Sequence, residues 1–393
     1  MRYEVKGNQV IAYPEGRISS DNSSEIQKSL EDIKAANGGL ELVIDAEDLL
    51  YISSAGLRVL LKLTKDQKTP LKVRNVSKDV YDILDMTGFV NLLDVRRKMR
   101  EISIDGCEIV GRGAIGTVYR IDEDTIVKVY NIPDCIPMIE NEQKRSKQAF
   151  LKGIPTAISY DIVKVGDRYG SVFEMLKAST FNEMIRKEPE RMDGIIRQYA
   201  GLIRQVHSVE MEPGELPSAR DVFRKYLSDL GSAIPEDIRI WLVRLLDAMP
   251  ENLHVVHGDI QLKNVMVSDG EPLLIDMDTL SVGDPVFDLM CLFVTYRLYP
   301  EDEPLNIQEF QGISQETADF ICDKGLQYYF EGRDEEFIRK EKDRIMVLAC
   351  VRFLHLVAVM DIGKPELRQT RINRALEHLK ELQGKVDTLE TRF

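Results

Sequence analysis

The sequence predicts two domains, a small α/β domain followed by a larger α+β domain whose C-terminal part is largely helical. Three observations lead there. The chain has 393 residues, and about 150 residues per domain makes two or three domains the starting expectation. Its first hundred residues alternate strand and helix signals. From about residue 102 closely spaced strands take over, and from about 140 helical periods dominate. A composition of 44% hydrophobic and 30% charged residues is that of a globular chain.

Each element has its own signal. Tyr3 to Tyr13 mixes polar and β-branched residues around Gly7-Asn8, which predicts a hairpin. Asp21-Asn22-Ser23-Ser24 supplies helix-capping residues, with Ile26, Leu30 and Ile33 at helical spacing behind them. The apolar run LELVIDA (40–46) predicts a central strand, and a helix follows Ser53-Ser54 with Leu57, Val59, Leu60, Leu61 and Leu63. LKVRNV (71–76) predicts a further strand. Val80, Ile83, Leu84 and Met86 predict the last helix of the unit. VRRKMRE (95–101) is a charged break in the pattern. Beyond it EISIDG, CEIVGRG, GTVYRID and TIVKVY predict short strands, and passages 160–175 and 264–276 are strand-rich within the helical remainder. The boundaries expected are 1–95 for the first domain, 96–104 for a linker and 105–393 for the second domain.

Charge and cysteine usage exclude several classes. The chain carries 52 basic and 66 acidic side chains, and its first hundred residues hold 16 and 15 of them. Neither part has the basic excess that binding to nucleic acid or an anionic membrane demands. Five scattered cysteines without a CxxC pair make neither a disulfide framework nor a zinc cage, and predict a cytoplasmic location. The start, MRYEVKGNQV, lacks the apolar core of a signal peptide. Residues 345–360 are apolar but interrupted by Arg352 and His355, and a membrane span needs about 20 apolar residues, so a buried helix is expected.

Two constellations carry chemistry. Gly111, Gly113 and Gly116 have GxGxxG spacing, but the third glycine runs into a strand and not a helix, and a second strand then bears Lys128. Strand, glycine turn, strand and lysine form a lid suited to phosphates; a plain glycine-rich hairpin with a solvated lysine is the alternative. The second constellation is Val256-His257-Gly258-Asp259, then Asn264, then Asp276-Met277-Asp278 after two apolar runs. Asp259 can accept the proton of an attacking hydroxyl, and Asn264 and Asp276 can hold Mg²⁺ against a triphosphate. The alternative here is a polar turn beside a hairpin.

Residues 105 to about 360 resemble the aminoglycoside phosphotransferase and choline kinase branch of the protein-kinase-like fold. HGD stands where protein kinases have HRD, DMD where they have DFG, and Gly283-Asp284-Pro285 with Asp288-Leu289 follows directly. The resemblance implies a bilobal α+β domain. Its N-lobe, 105–176, would hold the glycine loop, the lysine strand and the hinge. Its C-lobe, 177–393, would hold the catalytic loop and a helical substrate region. ATP and Mg²⁺ are implied as cofactors, Asp259 as the base and Asp278 as an added metal contact, with Asp288 bracing the catalytic loop from behind. Glu142 falls where such kinases pair a helix glutamate with the lysine; a solvated helix residue among Lys144 and Arg145 is the alternative. Val172 to Leu176 resembles the hinge, where backbone groups from Glu174 to Leu176 would meet adenine, while Phe173 and Met175 are as readily core. His207, Trp241, Met346 and Cys350 are expected to be structural. No APE motif or long activation segment follows Asp276, which disfavours a eukaryotic-style protein kinase. Gln261 occupies a position where relatives often have His or Lys.

Residues 1–95 resemble the STAS domain of bacterial anti-sigma factor antagonists, a small α/β sandwich. Ser53-Ser54-Ala55-Gly56-Leu57 and the later Met86-Thr87-Gly88-Phe89 carry the likeness. Ser54 aligns with the phosphoacceptor, and Ser53 takes the place of the usual aspartate. A helix N-terminus favours phosphate, yet a serine there can simply cap the helix. The fusion is similar to a bacterial family of sporulation- and anti-sigma-antagonist-like phosphotransferases. It implies ATP- and Mg²⁺-dependent transfer to a hydroxyl of a small molecule or a protein serine, with a partner protein bound through the STAS domain. A nucleotide sensor that docks through the STAS domain without turnover is the alternative.

Overall fold

Parallel strands cannot be joined by tight turns, so a parallel sheet needs crossover helices; the first hundred residues supply both. In the computed structural model, which describes residues 1–391 apart from 66–68, 114, 134, 177 and 269, the chain divides into two compact units. One comprises Met1–Ser103 with Ile162–Asp167, the other Ile104–Asp161 with Arg168–Phe393.

The first unit is built on a sheet with strand order Arg2–Lys6, Gln9–Tyr13, Glu41–Asp45, Lys72–Val76 and Asp94–Arg97. The first pair is the expected hairpin, and the other three pairings are parallel. Helices Ser23–Ala36, Ser54–Lys65 and Lys78–Met86 make the crossovers. Val10, Ile44, Leu60, Val73 and Leu84 meet in its core. Two features were not legible in the sequence. Gly16–Ile18 and Leu49–Ile52 form a separate parallel ladder, too short to show a period. Part of the charged stretch 95–101, expected as a break, belongs to the edge strand Asp94–Arg97, where charge guards against pairing with other chains. The segment Ile162–Asp167 groups with this unit, Val163 and Lys164 running parallel to Arg100 and Glu101.

The second unit opens with antiparallel strands Glu108–Arg112, Gly116–Arg120, Thr125–Tyr130 and Arg168–Glu174, each paired with the next in that order. Helix Ile136–Leu151 follows the third strand. The rest is mainly helical around a hairpin, Val265–Ser268 and Glu271–Leu274. Every residue of helix Val286–Phe293 is buried, which places Asp288 inside the core. Residues 345–360 are the end of helix Glu335–Leu354 and a π-helical turn at His355–Val359, with Ile345, Cys350 and Leu354 buried, so the expected buried helix is present. Among the described residues no helix is long and apolar enough to cross a membrane. Trp241 is buried and donates to the Val386 carbonyl, and Met346 packs against the same core.

Gly56 is where the first unit tolerates least. A Cβ there would lie 2.6 Å from Ile52 Cγ1 and 2.8 Å from Ile18 Cγ2, so the start of helix Ser54–Lys65 sits directly on the short ladder. Gly56→Ala is expected to destabilise this unit by about 1–3 kcal/mol. Hydrogen–deuterium exchange of the full chain should show faster exchange in residues 1–103 and unchanged protection in 168–391.

Candidate active site

A polar loop can keep one geometry only if its backbone donors have fixed partners. For residues 257–259 that partner is the carboxylate of Asp288, which is 0% exposed. Its Oδ2 accepts from His257 N at 2.8 Å and its Oδ1 from Gly258 N at 2.5 Å. His207 Nε2 lies 2.9 Å from Oδ2, and His207 Nδ1 lies 2.8 Å from the Tyr329 hydroxyl. Against an acceptor-only carboxylate the imidazole must donate through Nε2, which leaves Nδ1 to face the Tyr329 hydroxyl. Burial pushes the Asp288 carboxyl upward, but the His207 hydrogen bond and charge with the backbone donors prevail and hold it below the ordinary carboxylate range. Tyr199 donates to the Ile260 carbonyl at 2.8 Å, and Thr279 Oγ1 to the His257 carbonyl at 2.7 Å.

On this base Asp259 stands half-buried, and amides hold both its oxygens. Gln261 Nε2 donates to Oδ1 at 2.6 Å, and Asn264 Nδ2 donates to Oδ2 at 2.9 Å and to the Asp259 carbonyl at 2.8 Å. Among the described residues Asp259 has no ion-pair partner. The Asn264 carbonyl accepts from Ile275 N at 3.0 Å, and the Ile275 carbonyl lies 3.1 Å from His257 Nε2. Asp276 is thereby carried to the same place. Its backbone is left-handed, φ 59°, a conformation that aspartate tolerates better than most residues.

Lys128, on strand Thr125–Tyr130, lies 2.6 Å from Asp276 Oδ1 and 3.5 Å from Glu142 Oε1. Glu142, 6% exposed on helix Ile136–Leu151, also accepts from the Tyr130 hydroxyl at 2.9 Å. Burial pulls the Lys128 ammonium downward, but Asp276 and Glu142 outweigh it and hold it above its usual value. Asp276 is shifted the other way: burial raises it, and Lys128 more than reverses that. The Asp278 carboxyl is pushed up to about 6 by burial and by the Glu142, Asp276 and Asp259 carboxylates, with Lys128 opposing. The Asp278 carbonyl accepts from Arg145, one helical turn beyond Glu142.

Lys128, Glu142 and Asp276 are thus in direct contact, and Asp259, Asn264 and Asp288 share one hydrogen-bonded loop. The other candidate residues are placed less closely. Gly113 N donates to the Gly116 carbonyl at 2.9 Å and closes the glycine turn; Ala114 lies outside the described residues. A Cβ on Gly116 would lie 2.6 Å from the Val129 carbonyl, whereas Gly111 and Gly113 have room for one. Close packing on the lysine strand accounts for Gly116. In the segment expected to be the hinge, the Met175 amide donates to the Asp124 carbonyl at 2.7 Å and is thereby engaged within the protein. In the first unit, Gly56 N donates to Ser53 Oγ at 3.4 Å. Ser53 therefore caps the helix, and Ser54 stays exposed on its first turn.

Arg145, Tyr130, Gln311 and Asn182 belong to this site and were not identified from sequence. Arg145 shares a helix face with Glu142 at i+3, and Tyr130 shares a strand face with Lys128 at i+2, so spacing alone could have found both. Gln311 and Asn182 carry no such signal. Among the described residues no group of three or more His, Cys, Asp or Glu side chains forms a metal cage.

The phosphotransferase enzyme family model (APH) matches residues 106–318, and the STAS domain model matches residues 1–102. Streptomycin 6-kinase of Streptomyces griseus is 32% identical over 128 residues, 30% of this chain and 40% of that protein. The chain therefore spans well under half the length of that curated relative. ADP-bound aminoglycoside phosphotransferase APH(2'')-Ib superposes with a TM-score of 0.48 and 15% identity, covering 78% of this chain and 99% of that one. A choline/ethanolamine kinase family protein from Mesorhizobium loti superposes with a TM-score of 0.45 and 15% identity, over 70% of this chain and 87% of that one.

The Asp288 pairing has a pH signature. Its folded-state value is depressed, so its stabilisation is complete above the ordinary carboxylate value of about 3.9 and is lost as pH falls through the lower folded value. Asp288→Asn is expected to cost about 3–5 kcal/mol at pH 7 and to flatten the acid side of the stability profile. Urea unfolding between pH 7 and 3 would measure both, followed by the fluorescence of Trp241, the single tryptophan, which lies in the second unit.

Proposed function

We propose, from the premise that this chain belongs to the phosphotransferase enzyme family, that it transfers the γ-phosphoryl group of ATP to a hydroxyl group and that its N-terminal STAS domain regulates the transfer. One observation carries the reading. Asp259 is held at both oxygens by neutral amides and meets no cation among the described residues, while Lys128 lies nearby within a cluster of carboxylates. A carboxylate fixed by amides keeps lone pairs for a proton, as a general base requires.

In this reaction the acceptor oxygen attacks the γ-phosphorus as its proton passes to Asp259. The bond from that phosphorus to the bridging oxygen breaks, and ADP leaves. Lys128 holds the phosphates once nucleotide draws it from Asp276, and Glu142, fixed by Tyr130, keeps it oriented. The backbone of the glycine turn at Gly111, Gly113 and Gly116 covers the phosphates, and backbone groups at Glu174 and Leu176 meet the adenine. Asn264, Asp276 and Asp278 offer only hard oxygen ligands, a donor set that suits Mg²⁺ when phosphates complete its shell. Bound there, Mg²⁺ would offset the negative charge of the triphosphate.

The relative's name makes streptomycin the first acceptor to try. A second reading is favoured by the exposed Ser54 hydroxyl, which the helix cap leaves unused: a protein serine, this one included, as acceptor. A phosphate there would add about 1.5–2 negative charges to the STAS surface and change its partner choice.

Turnover with Mg·ATP and streptomycin should fall by about 10²–10⁴ in Asp259→Asn with the melting temperature unchanged. Chelation of Mg²⁺ by EDTA should abolish it. Intact mass after incubation with Mg·ATP alone should show one added phosphoryl group if Ser54 is the acceptor, absent in Ser54→Ala. ATP binding without turnover on any acceptor would leave a nucleotide sensor in place of a kinase.

A further inference from the structure

The Asp259 carboxylate is the end of a line of three buried amides. Asn182, on helix Phe181–Lys187, donates through Nδ2 to Gln311 Oε1 at 2.5 Å and to the Gln311 carbonyl at 3.0 Å. Gln311 Nε2 donates to Gln261 Oε1 at 3.1 Å, and Gln261 Nε2 donates to Asp259 Oδ1 at 2.6 Å. The three side chains are between 5% and 8% exposed.

Their common direction follows from the chemistry of the two ends. An ionised carboxylate only accepts, so Gln261 must offer it NH₂ and turn its own oxygen toward Gln311. Gln311 must then offer NH₂ and turn its oxygen toward Asn182. At the far end Asn182 faces two oxygens of Gln311 and can satisfy them only with NH₂. Among the described residues its own Oδ1 is left buried without a hydrogen-bond partner. Such an orphan opposes folding, and rotating the amide would set oxygen against oxygen twice. Aligned amides also polarise one another toward the charge at the end of the line.

We infer that Gln261, Gln311 and Asn182 are positioning residues of the transfer reaction, a one-way amide relay that fixes the plane of the Asp259 carboxylate and ties it to helix Asn306–Gln311. Asn264 holds the second oxygen. With one donor the carboxylate could still turn about its own bond, and with one donor on each oxygen it cannot. The inference rests on Asp259 being the base. The relay needs both functions at position 261: the amide donates to Asp259 and accepts from Gln311, whereas a carboxylate could not donate and an ammonium could not accept.

Gln311 does not touch Asp259, so its variants test the relay at a distance. Gln311→Glu cannot donate to Gln261, whose amide then turns its oxygen on Asp259. With Mg·ATP and streptomycin, and with water as acceptor, kcat is expected to fall by about ten- to a hundredfold while KM for ATP stays within about twofold. Gln311→Leu, which breaks the link without reversing it, should fall between this variant and the wild type. A second readout needs no turnover: side-chain amide resonances of ¹⁵N-glutamine-labelled full-length protein. In Asp259→Asn the resonances of both Gln261 and Gln311 should move. Wild-type protein that transfers phosphoryl to neither of these acceptors nor to Ser54 would overturn the phosphotransferase reading. Unchanged kcat in Gln311→Glu, or Gln311 resonances indifferent to Asp259→Asn, would overturn the relay alone.

Discussion

The loop at residues 257–259 depends on one buried carboxylate. Asp288 spends one oxygen on the Gly258 amide and shares the other between the His257 amide and the His207 ring, inside a helix whose every residue is buried. A charge in such surroundings is tolerable only when its acceptor sites are filled. The loop therefore cannot move without exposing that charge to unmet demand. Asp259 inherits its position from this constraint, and so do Asn264 and Asp276 through the pairing of Ile275 with Asn264 and His257.

A second constraint is electrostatic. Glu142, Asp276 and Asp278 converge around Lys128, so carboxylates outnumber the ammonium among them. The mismatch appears in opposite shifts, with Asp276 held low beside Lys128 and Asp278 pushed up to about 6. A site with surplus carboxylates and a lysine already engaged suits a ligand that brings phosphates and a divalent cation together. The phosphates can take the lysine, and the cation can take the acids. Asp259 stays outside this exchange because it faces amides, which would suit the proton-accepting role proposed for it.

Much of the fold was legible because its signals are local. Apolar spacing in the helices from Ser23 and Lys78, and the run ending at Asp45, set those elements without reference to the rest of the chain. The ladder of Gly16–Ile18 with Leu49–Ile52 was not legible, since strands of three and four residues show no period. Three of the seven residues of the expected charged break proved to lie in an edge strand, because charge patterning does not distinguish a linker from the guarded rim of a sheet.

Sequence alone determined the chemical inventory of the site: Lys128, Asp259, Asn264 and Asp276 were named from spacing and Glu142 and Asp288 from the family resemblance, and the fold gathers them in two linked clusters. Residue identity sets what a side chain can donate, accept or carry, and short spacings set what one loop can present together. Tertiary structure decided the partners. It set Lys128 closer to Asp276 than to Glu142, engaged the Met175 amide with the Asp124 carbonyl, made Ser53 and not Ser54 the helix cap, and aligned Asn182, Gln311 and Gln261 behind Asp259. The link between Asn182 and Gln311 spans 129 residues. No local pattern encodes a contact across that separation, because only the packed core brings the two helices together.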